Sequence, residues 1–176
     1  MAIEAPIRES DQFFTDEDKT LRFFVTTGEA VVLSATALAA ATTLEVEPLK
    51  ETIASAAKVR FGNIVVTLTA QADAGDTSIA VSALTGAIPR GSVGRKCQNV
   101  TGWTTQFKIL SAKGSSTTVL TVSGSVITAT EGVIDVVIAD TDTATFTPKS
   151  YYYTFRRTDA GSESMLAHGL CALQAG

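Results

Sequence analysis

Residues 32–62, VLSATALAAATTLEVEPLKETIASAAKVRFG, and residues 67–96, TLTAQADAGDTSIAVSALTGAIPRGSVGRK, look like two copies of one unit. Leu33, Thr42, Leu44, Val46, Leu49 and Ile53 line up with Leu68, Thr77, Ile79, Val81, Leu84 and Ile88 at a constant offset of 35 residues. The match drifts by one at its last few positions. Self-similarity at such a period marks duplicated supersecondary units. Duplicated β modules carry no chemistry of their own and are common in assembly proteins, so the first inference is a chain built to bind other protein.

The repeat also constrains its own elements. Asn63–Thr69 and Thr77–Ser82 alternate as strands, with a turn at Ala72–Asp76 where Gly75 is free to take positive φ. Ala39–Ala41 is alanine-rich and favours helix by propensity, but its repeat partner is the turn Ala74–Asp76. A turn or bulge is therefore expected there. Pro48 sits well at a helix first turn, so a short helix is expected from Pro48 towards Ala57 in the first copy alone. Gly86, Pro89 and Gly91 break it in the second, where Ile88–Gly91 reads as a turn.

Outside the repeat, Leu21, Phe23 and Val25 alternate with Arg22, Phe24 and Thr26 as a strand that Gly28 is expected to end. From Val100 onward a series of strands follows: Thr104–Leu110, Thr117–Val122, a break at Ser123–Gly124, then Gly132–Ile138. Tyr151–Arg157 and Glu163–Leu173 form a hairpin around Asp159–Ser162. Strands at this spacing point to an all-β sandwich. Tyr151, Tyr153 and Phe155 share one strand face, and Tyr152, Thr154 and Arg156 the other. Immunoglobulin-like sandwiches place a tyrosine at such a corner, its hydroxyl bonded back to upstream backbone, and Trp103 is a plausible core aromatic. The expected organisation is an N-terminal arm at 1–18, an immunoglobulin-like sandwich from 19–29 plus 99–176, and an inserted duplicated β module at 30–98. Phe13 and Phe14, an aromatic pair in a charged setting, either staple into a neighbour or pack on their own domain.

Composition excludes several function classes. The 176 residues are 45% hydrophobic and 18% charged, with a net charge of −4. That leaves no electrostatic footprint for nucleic acid, and Arg90, Arg95, Lys96, Arg156 and Arg157 read as solvated cations. No apolar run approaches the roughly 18 residues of a membrane span, and the N-terminus lacks a secretory pattern, so a cytosolic origin is expected. Cys97 and Cys171 fit no zinc or redox spacing and read as packed thiols. His168 is the one histidine, read as structural, and no nucleophile, metal or phosphate-loop motif accompanies it. No enzyme activity, cofactor or metal is expected. Asp16–Asp18 and Asp140–Asp142 offer oxygen ligands of the kind calcium takes, but lack the glycine spacing of an ion loop, and read as turns. Asn99–Thr101 matches a glycosylation sequon, to which no role is assigned.

The order of TLRFFVTTG at 20–28, VTGWTTQFK at 100–108, DTDT at 140–143, YYY at 151–153 and HGL at 168–170 resembles the N-terminal domain of phage baseplate upper proteins. The repeat resembles short β modules of phage virion proteins. The resemblance covers about half the chain. It implies an immunoglobulin-like sandwich that docks fibres or receptor-binding proteins onto a tail. Two departures stand out: about 70 residues separate the first strand from the Thr-Gly-Trp segment, and the family's C-terminal extension towards the fibre is expected to be absent. The expected function is a virion structural protein made in the host cytoplasm, a tail, baseplate or fibre-attachment adaptor. The alternatives are a capsid decoration protein and a carbohydrate-binding module using Tyr152 as an aromatic platform. Expected partners are other virion proteins and further copies of the chain, a trimer by the habit of such phage proteins, with no nucleic acid and no membrane. Phe13, Phe14 and Tyr152 are the candidate assembly contacts.

Overall fold

Leu21, Phe23 and Val25 are buried while Thr20 and Arg22 are exposed, the two-residue period of a half-covered strand. The same period recurs through a computed structural model that describes residues 2–4, 13–14 and 17–174, the first two segments by backbone alone. The protein is all-β. Its strands are β1 (Ala2–Glu4), β2 (Phe13–Phe14), β3 (Lys19–Val32), β4 (Thr43–Glu45), β5 (Lys58–Phe61), β6 (Ile64–Thr67), β7 (Ser78–Ala80), β8 (Val93–Cys97), β9 (Thr105–Leu110), β10 (Thr118–Thr128), β11 (Val133–Ile138), β12 (Ser150–Arg157) and β13 (Ser164–Gln174). A one-turn helix, α1 (Asp140–Thr143), lies before β12. The chain divides into two units, Thr26–Gln98 and Ala2–Val25 with Asn99–Gly176. Strand β3 gives its first half to one and its second half to the other. The insert thus begins earlier than the expected residue 30, because Thr26 and Thr27 already pair with Cys97 and Lys96.

In the larger unit the strands run in the order β2–β13–β12–β9–β10–β11–β3, antiparallel except for β2 on β13. From β3 to β12 there are four strand steps, about 19 Å across a flat sheet at ~4.8 Å each. Yet the rings of Phe23 on β3 and Phe155 on β12 stack at 4.0 Å. The sheet therefore curls over and faces itself across a core of Phe23, Phe107, Phe155, Tyr153, Ile109 and Ile134. Each fully buried large side chain contributes about 1.5–3 kcal/mol. The expected break at Ser123–Gly124 is absent: β10 runs unbroken. Gly124 is there for closeness, since a Cβ would lie 2.3 Å from Thr105 Oγ1 and 2.9 Å from Ile134 Cγ2. The expected N-terminal arm is paired within the chain at its described residues. The backbone of β1 pairs with β3, and that of Phe13–Phe14 pairs in parallel with Leu173–Gln174 of the same chain.

The smaller unit has an internal pseudo-two-fold. Leu44 faces Ile79, its own repeat partner, while Thr43 pairs with Ala80 and Glu45 with Ser78. Ala37 pairs with Ile88 and Ile53 with Ala72, so each copy completes the other; Leu33–Val46 and Leu68–Val81 are the matching pairs within each copy. The correspondence keeps its offset through Arg60 and Arg95, which face each other across β5 and β8, so the drift read from the sequence is not structural. It arises because Phe61 lies over Gly94, where a Cβ would sit 2.5 Å from the ring, while their repeat partners are Lys96 and Val59. Leu33, Leu44, Leu68, Ile79 and Ile88 are buried at the centre. The expected helix after Pro48 does not form. Leu49 N–H donates to Asp76 C=O and Ile53 N–H to Ala72 C=O, which holds the segment extended against the second copy. Gly28 does not end β3 either; at φ 74° it sits in a bulge between Thr27 and Ala30, beyond which pairing resumes with β8.

Candidate assembly surface

Of the three expected contact residues, Tyr152 is the one whose side chain is described. It lies on the outer face of β12, opposite the core-facing Tyr151, Tyr153 and Phe155. Register places it directly between Leu110 of β9 and Leu170 of β13. The three form an apolar row across three strands, with Leu170 66% exposed and Leu110 and Tyr152 half-buried. The next row is Lys108, Thr154 and His168, and the third is Gln106, Arg156 and Met165. Tyr152 Oη and His168 Nδ1 are 2.7 Å apart, a diagonal bond that fixes both rings on the surface. Sequence reading flagged Tyr152 but missed Leu110 and Leu170. The signal was present, since both occupy the polar phase of strands that otherwise alternate, but the row exists only once the register is known. For Phe13 and Phe14 the structure gives backbone pairing with β13, and their side chains lie outside the described residues.

The remaining polar groups of interest do structural work in the larger unit. Tyr151 Oη donates to Thr147 C=O at 2.9 Å, the back-bond expected of a corner tyrosine. Asp159 accepts from Arg157 Nε at 2.5 Å and from Thr104 N–H at 2.9 Å. Those bonds hold its carboxyl below the usual range. The Arg157 guanidinium also lies 4.3 Å from the ring centre of Trp103, which is partly buried and packs against the core. Arg22 and Asp135 form a two-pronged ion pair on the outer face, at 2.8 and 2.7 Å. Two of the carboxylates considered for calcium accept from backbone: Asp142 from Ala139 N–H and Asp18 from Asp140 N–H. Cys171, and Cys97 in the smaller unit, are buried. Burial pushes the Cys171 thiol up to about 12. Tyr153 Oη and Thr105 Oγ1 are buried with no hydrogen-bond partner among the described residues. No protein-family profile and no curated protein matches the chain.

Proposed function

We propose that this chain is a structural protein of a phage virion, a tail, baseplate or fibre-attachment adaptor that works by protein–protein assembly. The observation that carries the reading is the outer row Leu110–Tyr152–Leu170, an apolar strip on a polar sheet face of the kind that marks contact sites. The order of segments shared with baseplate upper proteins supports it. The corner bond of Tyr151, β1 on β3 and the parallel β2 on β13 support the immunoglobulin-like scheme that the resemblance implies. Its partners in this reading are other virion proteins and further copies of itself. The test is immunogold electron microscopy of intact particles with antibody against this chain, beside particles carrying Leu170→Asp. Label at the tail end, lost in the variant, is the expected result. Label over the head would make it a decoration protein. Unlabelled particles, with the epitope accessible on free protein, would overturn the virion reading. The paired Tyr152 and His168 rings also support the carbohydrate alternative, which requires glycan binding that disappears in Tyr152→Ala.

A further inference from the structure

The pseudo-two-fold gives the unit Thr26–Gln98 two ends built on the same backbone, lying on opposite sides of the Leu44–Ile79 pair. One end comprises segments 36–43 and 80–89, the other the equivalent segments 71–78 and 45–54. Their bonds correspond one for one. Ala40 N–H donates to Leu84 C=O and Gly75 N–H to Leu49 C=O. Leu84 N–H donates to Ala41 C=O and Leu49 N–H to Asp76 C=O. Val81 N–H donates to Thr42 C=O and Val46 N–H to Thr77 C=O, each at 2.9 Å.

Their chemistry does not correspond. Segments 71–78 and 45–54 carry Glu45, Glu47, Lys50, Glu51, Asp73 and Asp76, whereas segments 36–43 and 80–89 carry no charged residue. Leu38, the equivalent of Asp73, is 70% exposed. Folding does not impose this difference, since the charged sequence builds the same turns. The first charge at the margin is Arg90, whose backbone N–H bonds Thr36 Oγ1 at 3.1 Å. Depletion of charge is the one mark that this patch of Ala, Thr and Ser around Leu38 shares with an interface centre.

We propose that this charge-free end is a self-association surface that docks on the same end of a second copy of the chain. Copies of net charge −4 repel one another. Meeting through these ends keeps both acidic ends on the far side of the Leu44–Ile79 pair. A charged partner of another kind is steered by complementary charge, which this end does not offer. The contact is isologous and so two-fold, in place of the three-fold expected from the resemblance. It does not depend on the virion reading, because the purified chain alone tests it.

The experiment is sedimentation velocity of the full chain over a dilution series. It compares Leu38→Asp and Thr85→Lys, which install the residues that the other end carries at the same backbone positions, with Ala74→Asp at the acidic end. Because the equivalent positions tolerate Asp and Lys, both test variants are expected to fold, and circular dichroism checks it. Wild type and Ala74→Asp should sediment as dimers. Leu38→Asp and Thr85→Lys should raise the dissociation constant about a hundredfold or more, the cost of burying an unpaired charge. A monomeric wild type across the series overturns the proposal, as does any oligomer that both test variants leave intact.

Discussion

Ala40 and Ala56 hold φ of 65° and 63°, where their repeat equivalents are Gly75 and Gly91 at 95° and 79°. An L-residue in the left-handed region costs about 1–2 kcal/mol, while glycine's freer unfolded chain takes back about 0.4–1 kcal/mol. The first term wins. Ala40→Gly and Ala56→Gly should each stabilise the chain by roughly 0.5–1 kcal/mol in urea titrations. A loss in both would mean that glycine's entropy dominates. At Cys171 the effect depends on pH. Its folded-state pKa lies at about 12 against the ordinary 9.0, so the unfolded chain gives up the proton first as pH rises. The buried neutral thiol therefore leaves stability whole below pH 9, and its contribution drains away between 9 and 12, by up to about 4 kcal/mol at the end. Tyr151 and Tyr153, both raised by burial, act in the same sense at their own, higher range. Denaturation midpoints from pH 8 to 11 should fall less steeply in Cys171→Ala than in wild type, and parallel curves would remove the assignment.

At the scale of the element, β12 contains a built-in comparison. Tyr151 and Tyr153 share its buried face, but one hydroxyl bonds Thr147 C=O and the other is buried without a partner. A satisfied hydroxyl contributes about 0.5–1.5 kcal/mol, whereas a buried unsatisfied one costs about 1–3 kcal/mol. Tyr151→Phe should thus lower stability by roughly 1 kcal/mol and Tyr153→Phe should raise it by a similar amount. Equal signs in equilibrium unfolding would sink the comparison. The strand itself was legible in sequence, because Tyr151, Tyr153 and Phe155 repeat every second residue, and the bond from the Tyr151 hydroxyl back to upstream backbone was anticipated with it. What escaped sequence reading were places where a distant strand decides. Gly28 looked like a strand end, yet a bulge is defined only by its partner β8. Gly124 looked like a break, yet glycine is required by the approach of Thr105 and Ile134. Pro48 looked like a helix start, yet the Ile53 N–H and Leu49 C=O that a helix would pair with each other bond instead to Ala72 C=O and Gly75 N–H of the second copy. The repeat announced two copies but not that they interlock, since Ala37–Ile88 and Ile53–Ala72 cross between copies. The outer row Leu110–Tyr152–Leu170 was hidden for the same reason.

For the whole molecule, the two units bury separate sets of side chains. Phe23, Val25, Ile109 and Phe155 belong to one core, and Val31, Leu44, Val66 and Ile79 to the other. Strand β3 runs from the first to the second, with Val25 in one core and Val31 in the other, and the bulge at Gly28 between them. Small single cores unfold as cooperative units, while chains with two cores depart from one-step behaviour. Calorimetry of the full chain should therefore resolve two transitions. Leu44→Ala, at the pseudo-two-fold, should lower one of them by the cost of a core cavity, about 2–5 kcal/mol. Ile109→Ala should lower the other by a comparable amount. Sites in separate cores that share no partners add independently, so the double variant should shift both transitions by the single-variant amounts. A single transition that either substitution moves as a whole would mean that β3 couples the cores into one folding unit. The sandwich and its insert would then be one cooperative structure in spite of their separate interiors.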